Sequence, residues 1–482
     1  MGENRRSNAA LWRFLWGIRR VRVCHHALFD GLLAPLRRQS KPGFHPPRLS
    51  KTGGFFTSYI PVCNPGVFPA VCGSFCLHLS SGLAAKRVAQ TVDGSQHTMK
   101  LLINAFNLAS AGGLNVALNF LKNIPYLKSD ADHIHVIVPQ ACGYEALESD
   151  SFKIHYLPKA LNHWMTRPLM DHVWYPKVLN EIKPEIIFTM GNFPSPVPYK
   201  QVVLLHLPHL AYPEDKALWK QVGPEIIFKI KLRDWVFRRR LTHVDILLVQ
   251  THTMLKRLLQ VYPQLPSIQL FPNAYTLLNS QSTYELPVKK QPNLTYLMCL
   301  SRYYPHKNLE ILVEVARLMK ARQMPYRIFI TIEAWQHPKA KRLLETIAQA
   351  SLADFLIPIG NVPADCVASL YHQVDGLILP TLLESFTATY VDAMHFGVSI
   401  FTSQRDFAEE ICGESAHYFD PLSAQSIVDT IHAGYSNETN RQHKISAGRL
   451  RSTTLPDWPE VSRTCWELLV SLAENKEINV KQ

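Results

Sequence analysis

The run Pro380-Thr381-Leu382-Leu383-Glu384-Ser385-Phe386-Thr387-Ala388-Thr389-Tyr390-Val391-Asp392-Ala393-Met394 decides the fold. It follows the apolar stretch Gly376-Leu377-Ile378-Leu379, which reads as a buried strand, and it opens a helix. Strand, turn and helix in that order are half of a βαβ unit. Glu384 stands just before the helix, and Asp392 lies about two turns into it. The backbone N–H groups of Ser385, Phe386 and Thr387 then point outward at the positive end of the helix, where phosphate oxygens bind. A carboxylate at that mouth can accept hydrogen bonds from sugar hydroxyls, and a second one on the helix can accept them from a ribose.

Working outward, short apolar runs alternate with helical patterns from Met99 to the end, the mark of stacked βαβ units. Strands are expected at 100–106, 133–138, 152–157, 185–189, 201–206 and 244–249. Helices fall between them at 114–122, 165–182 and 251–261. A boundary lies near 275–292, where Asn279, Ser280, Gln281, Ser282, Pro287 and Pro292 sit among few apolar residues. The alternation then resumes. Strands are expected at 294–300, 326–332, 354–359, 375–379, 398–402 and 416–419, and helices at 308–320, 338–350, 364–372, 387–396, 423–434 and 458–474. The chain is therefore α/β, with doubly wound domains over 99–285 and 286–455 and a last helical segment over 456–482. Two such domains place a cleft between the carboxyl ends of their sheets, where ligands bind in these folds.

Composition agrees. The chain has 482 residues, 47% hydrophobic and 18% charged, enough to build sizeable cores. Its net charge of +13 is uneven: residues 1–98 carry 13 basic and 3 acidic residues, a net of +10, and the rest carries 38 and 35, a net of +3. A near-neutral body does not read as a nucleic-acid binder. The nine cysteines are scattered and odd in number, which suits a reduced, cytoplasmic protein rather than a disulfide framework. Residues 1–98 read as an irregular extension, disordered or upstream of a true start at Met99. Thr52–Ala85 has no charged side chain, but Pro61, Pro65 and Pro69 interrupt it, so a spanning helix is not expected.

Two more loops carry candidate chemistry. Ser301-Arg302-Tyr303-Tyr304-Pro305-His306-Lys307-Asn308 follows the first strand of the second domain, and Arg302 with Lys307 suits a diphosphate. Asn308 reads as the N-cap of the next helix. Gly112-Gly113, after the first strand of the chain, let backbone come close to a ligand.

Glu384 and Asp392, eight positions apart, together with Ser301-Arg302 and Lys307-Asn308, resemble the donor site of glycosyltransferase family 4, the group 1 glycosyltransferases. The resemblance covers 99–482 and is strongest over 294–435. It extends to Gly360-Asn361-Val362, which is similar to the family's base-contacting loop, to Gly112-Gly113, and to a terminal helix that crosses back onto the first domain. It implies a GT-B fold of two Rossmann-like domains, an N-terminal acceptor domain and a C-terminal nucleotide-sugar domain. It implies a retaining transfer of a sugar from a nucleotide-diphosphate sugar, used as co-substrate without a cofactor. Arg302 and Lys307 would hold the diphosphate, Glu384 the transferred sugar and Asp392 the ribose. Ser385, Phe386, Thr387, Asn361, Val362, Gly112 and Gly113 would line the donor. The family usually has Glu where this chain has Asp392. A histidine is expected near the acceptor side; His206 and His209 both end a strand, and His206 is preferred. The acceptor would be a glycan or lipid-linked hydroxyl, in polysaccharide or glycolipid synthesis at the inner face of a membrane.

Alternatives stay open: a non-catalytic scaffold subunit of the same fold, a nucleotide-sugar epimerase, or a phosphorylase. Asp130-Ala131-Asp132 with His133 and His135 resembles a metal motif, but it precedes a strand rather than ending one, so no metal is expected. Cys72 and Cys76 lack a second ligand pair. The basic, amphipathic stretch 226–241 reads either as a helix with one core face or as a peripheral membrane contact.

Overall fold

Short runs rich in Val, Ile, Leu and Phe become strands, and because helices cover both sheet faces these runs are apolar nearly throughout. The first sheet holds β1 (Lys100–Asn104), β2 (His133–Val138), β3 (Lys153–Tyr156), β4 (Ile186–Thr189), β5 (Lys200–Leu205), β6 (Ile246–Val249) and β7 (Ser267–Leu270). The second holds β8 (Thr295–Cys299), β9 (Tyr326–Ile330), β10 (Leu356–Pro358), β11 (Gly376–Leu379), β12 (Ser399–Ser403) and β13 (Ala416–Phe419). Their orders are β3-β2-β1-β4-β5-β6-β7 and β10-β9-β8-β11-β12-β13, and every pairing is parallel. Each order reverses direction once, between β1 and β4 and between β8 and β11. The loops leaving those strands diverge there, the place at which folds of this kind open a crevice for ligands. Ile103 pairs with Phe188 and Leu377 with Met298, which brings those strand ends level.

The computed structural model describes residues 98–475, apart from 131, 149–151, 162–165, 167, 168, 275, 277 and 279–281. These residues belong to one compact unit. The expectations for residues 1–97, including the stretch 52–85 and Cys72 with Cys76, lie outside the described residues. The helices used below are α1 (Ala111–Asn123), α2 (Pro224–Arg240), α3 (His252–Val261), α4 (Ala388–Phe396), α5 (Asp406–Cys412) and α6 (Trp458–Ala473).

Three local readings need correction. The helix expected over 165–182 is a π-helical turn, Met170–Trp174, running into a helix at Tyr175–Ile182. Pro176 has no N–H to give to a carbonyl one turn back, so the ladder is broken there. Asn308 is not the N-cap of its helix. A 3-10 turn, Pro305–Lys307, intervenes and the helix begins at Ile311. Asn308 adopts φ 55°, which Asn tolerates better than most residues, and its buried amide donates to the carbonyls of Pro421 at 2.7 Å and Pro380 at 3.3 Å. The segment 364–372 starts as a 3-10 turn and is helical only over Val367–Tyr371.

α6 packs on the first sheet: Trp458, Trp466 and Leu469 join Phe120 and Phe188 in one core. Lys200 Nζ donates to the carbonyl of Leu472 at 2.6 Å, satisfying a group at the helix end. A second apolar core runs from Leu205 and Tyr212 of the first domain through Tyr303 and Leu309 to the second sheet. Polar contacts join the domains beside it. Arg405 pairs with Asp215 at 2.7 Å, and Asp406 accepts from Tyr212 Oη at 2.9 Å and pairs with Arg257. Glu410 accepts the N–H groups of His252 and Thr253, each at 2.7 Å, a negative charge set at the positive end of α3.

Candidate active site

The loops after β8, β9, β10 and β11 lie side by side along the carboxyl edge of the second sheet, as the strand order requires. The β8 loop is held by Ser301 N–H to Thr331 Oγ1 and Tyr303 N–H to Gln336 Oε1, both 2.9 Å. The β11 loop is tied to it by Leu382 N–H to the His306 carbonyl at 2.8 Å. These bonds bring Lys307 against Glu384. The two form an ion pair with side chains 15% and 9% exposed, so the pair is largely withdrawn from water.

Glu384 sits at the mouth of α4. The backbone N–H groups of Ser385, Phe386 and Thr387 have no partner among the described residues. Thr387, at the N-cap position, makes no side-chain capping bond; its hydroxyl goes to Thr389 Oγ1 at 3.2 Å. The helix end is thus free to bind an anion. One turn further in, Asp392 is 8% exposed. Burial raises its carboxyl pKa from 3.8 to about 7. Gly397, at φ 65°, ends the helix in the left-handed conformation that favours glycine.

Arg302 lies apart from that pair. It is exposed, and its guanidinium stands over the ring of Trp335 at 5.3 Å. Glu333, on the same loop as Trp335, accepts from Trp335 Nε1 and from the Asn361 N–H, the latter at 3.1 Å. Gly360, at φ 74°, allows that turn; a Cβ there would stand 3.4 Å from Glu333 Oε1. Asn361 is exposed and Val362 buried. One carboxylate therefore joins the loops after β9 and β10.

Residues 284–451 match the family model described as glycosyl transferases group 1. The match contains Arg302, Lys307, Glu384 and Asp392. The chain around it is similar in fold to glycosyltransferases of known structure. Sucrose-phosphate synthase of Thermosynechococcus elongatus is 14% identical with a TM-score of 0.62, over 78% of this chain and 100% of that one. WaaG, a glycosyltransferase involved in lipopolysaccharide biosynthesis, is 13% identical with a TM-score of 0.57, over 77% and 99%. Anabaena HepE, in complex with UDP and glucose, is 15% identical with a TM-score of 0.56, over 77% and 100%. These likenesses give the whole described chain the GT-B fold. No curated protein matches the chain in sequence.

In the first domain, Gly112 and Gly113 fall in the first turn of α1 rather than in a loop. A Cβ on Gly112 would meet nothing within 4 Å, so space is open above that backbone. A Cβ on Gly113 would stand 2.9 Å from Leu108 Cδ2, so Gly113 serves packing. The two histidines differ in what they face. His206 turns its Nε2 to the Met190 carbonyl at 3.0 Å, and its own N–H goes to Asn192 Oδ1 at 2.6 Å. His209 instead meets His306 of the second domain edge to face, with ring centroids 5.2 Å apart. Burial pulls each ring down to about 4, so both are neutral at pH 7.

The Asp130–Asp132 run lies at the amino end of β2. Asp132 there accepts Met99 N–H at 3.0 Å, and Ser129 N–H and Oγ at 2.8 and 2.9 Å. Among the described residues, no three His, Cys, Asp or Glu side chains come together as a metal-binding group. Sequence reasoning missed Glu333, Trp335 and His306. Trp335 leaves a trace, an aromatic beside acidic and polar residues just after a strand. The links made by Glu333 and His306 are tertiary and leave none.

Proposed function

We propose that the chain is a retaining glycosyltransferase of family 4. It moves a hexose-type sugar from a nucleotide-diphosphate sugar to a hydroxyl of a glycan or lipid-linked acceptor, in cell-surface polysaccharide or glycolipid synthesis. The observation that carries the reading is the joining of Lys307 and Glu384 beside the uncapped N-terminus of α4, with the buried carboxyl of Asp392 on the same helix. Cation, free amides and two carboxyl groups are what a diphosphate, a sugar and a ribose need side by side. The setting we propose is cytoplasmic, peripheral at the inner face of a membrane.

In this reading the bond from the anomeric carbon to the diphosphate oxygen breaks, and a bond to the acceptor oxygen forms. The acceptor proton passes to the departing phosphate on the same face. The transition state is oxocarbenium-like, and negative charge grows on the leaving phosphate. In this reading Lys307 and the N–H groups of Ser385–Thr387 stabilise that charge, and Arg302, which rests over Trp335 in the free protein, swings in to join them. For Lys307 to act, the incoming phosphate must share or take it from Glu384, which frees Glu384 to accept from sugar hydroxyls. Asp392 accepts from the ribose, and its shorter reach allows a water in between. Asn361 and Val362 border the base. Gly112 leaves room for the donor from the opposite side. His206, fixed by Met190, is a positioning group on the acceptor side.

The test is a nucleotide titration of the full chain with UDP, GDP and ADP, alongside Arg302→Ala and Glu384→Ala variants. Because HepE holds UDP and glucose, UDP-glucose is the first donor to assay for turnover with and without acceptor extract. Binding of one nucleotide that weakens in Arg302→Ala, with donor turnover accelerated by acceptor, supports transfer. Turnover of the donor alone into an isomer points to an epimerase. A folded protein that binds none of the three nucleotides is a scaffold.

A further inference from the structure

The outward face of α2 carries an apolar stripe that nothing in the described structure covers. Phe228 is 65% exposed, Leu232 42% and Trp235 50%. Spacings of four and three place them on one line of the helix, while Ile230 and Phe237 point the opposite way into the core. Three large apolar side chains exposed along one line of a helix form a candidate interaction surface.

The charges around the stripe narrow the partner. Glu225 is engaged by Lys229 at 2.5 Å, and Asp234 by Arg238 at 3.0 Å and by Tyr262 Oη at 2.6 Å. Arg240 is used inward on Asp171 at 2.6 Å. Lys231, Arg233 and Arg239 have no carboxylate partner among the described residues, and Arg239 lies over Trp235 at 4.8 Å. The helix therefore offers aromatic and aliphatic groups together with uncompensated positive charge.

We infer that this face of α2 docks on an anionic lipid surface. Phe228, Leu232 and Trp235 enter the interface, while Lys231 and Arg239 meet phosphate headgroups. A second copy of the chain would set these cations against their own kind. The segment 1–98, with its net charge of +10, would do the same. No helix among the described residues is long and apolar enough to cross a membrane, so the contact is peripheral. The other side of α2 turns toward the candidate site: Arg233, set away from the stripe on the helix, acts electrostatically on His209, whose ring meets His306 next to Lys307. That the acceptor is consequently lipid-linked rests on the transferase reading; the docking surface itself does not.

The experiment is co-sedimentation of the full chain with vesicles of phosphatidylcholine alone and of equal parts phosphatidylcholine and phosphatidylglycerol. Two variants accompany it, Phe228→Ser/Leu232→Ser/Trp235→Ser and Lys231→Glu/Arg239→Glu; both alter only exposed positions, and circular dichroism checks their folding. Binding is expected to the mixed vesicles and not to the neutral ones, and each variant should bind about tenfold more weakly or worse. The charge variant should also lose part of the salt dependence. Equal binding by parent and variants overturns the assignment and moves the contact elsewhere on the chain. Absence of binding overturns it as well. A concentration-dependent dimer that the same substitutions abolish hands the surface to a second copy. A UDP, GDP and ADP titration of the same sample separates the two ideas. Nucleotide binding without vesicle binding defeats only the docking surface, and the reverse defeats only the donor site.

Discussion

At the scale of single residues, the Lys307–Glu384 pair and Asp392 carry the sharpest expectations. Removing one partner of a buried pair strands the other charge, so Lys307→Ala or Glu384→Ala should cost about 3–5 kcal/mol in urea unfolding. Replacing both by apolar residues, Lys307→Met with Glu384→Leu, should recover most of that while abolishing turnover. Arg302 is exposed and makes no ion pair among the described residues. Arg302→Ala should therefore leave stability within about 0.5 kcal/mol while nucleotide affinity falls about tenfold or more. Asp392 titrates near pH 7 in the folded state and near 3.8 unfolded. The folded state thus keeps its proton longer, and stability should fall as pH rises from about 4 to 7, by roughly 4 kcal/mol at the outside. Asp392→Asn should flatten that profile and leave the variant more stable than the parent at pH 8, read by denaturant unfolding across pH. Glu384 and Asp392 were legible because a strand, a turn and a helix fix their places locally. The bond from Lys307 to Glu384 was not legible, because it depends on two loops that only the β8–β11 pairing makes neighbours.

At the scale of elements, the glycines of α1 separate space from packing. Gly112→Ala should raise thermal stability by about 0.5–1 kcal/mol, because glycine is a poor helix former and nothing occupies the Cβ position. The same change should lower donor turnover by filling room that a ligand would use. Gly113→Ala should gain nothing, because its Cβ meets Leu108. Most strands stand within one or two residues of their sequence reading, since a buried parallel strand is an unbroken apolar run. β7 was missed because Ser-Ile-Gln-Leu at a sheet edge is short, half-exposed and polar at alternate positions. The helix Glu438–Thr453 was missed for a similar reason. Few of its side chains are apolar, and it packs through Ile445 and the close approach of Gly448 to Met394.

At the scale of the whole molecule, α5 links the two domains through Asp406 and Glu410. Asp406→Ala strips an acceptor from Tyr212 and a partner from Arg257, and Glu410→Gln removes the charge at the start of α3. Each should lower stability by about 1–3 kcal/mol, and the pair together should enlarge the radius of gyration in small-angle scattering as the cleft loosens. The sequence by itself determined the α/β class, the two doubly wound halves and the residues that line the second sheet's carboxyl edge. Each of those rests on hydrophobic period and on the turn that follows a strand, which are properties of neighbours in the chain. Only the tertiary structure decided that Lys307 neutralises Glu384, that His209 rather than His206 meets the second domain, and that the stripe on α2 faces outward. Those follow from which strands pair and which helix faces are covered, and the free energy that selects them is spread over cores assembled from distant segments.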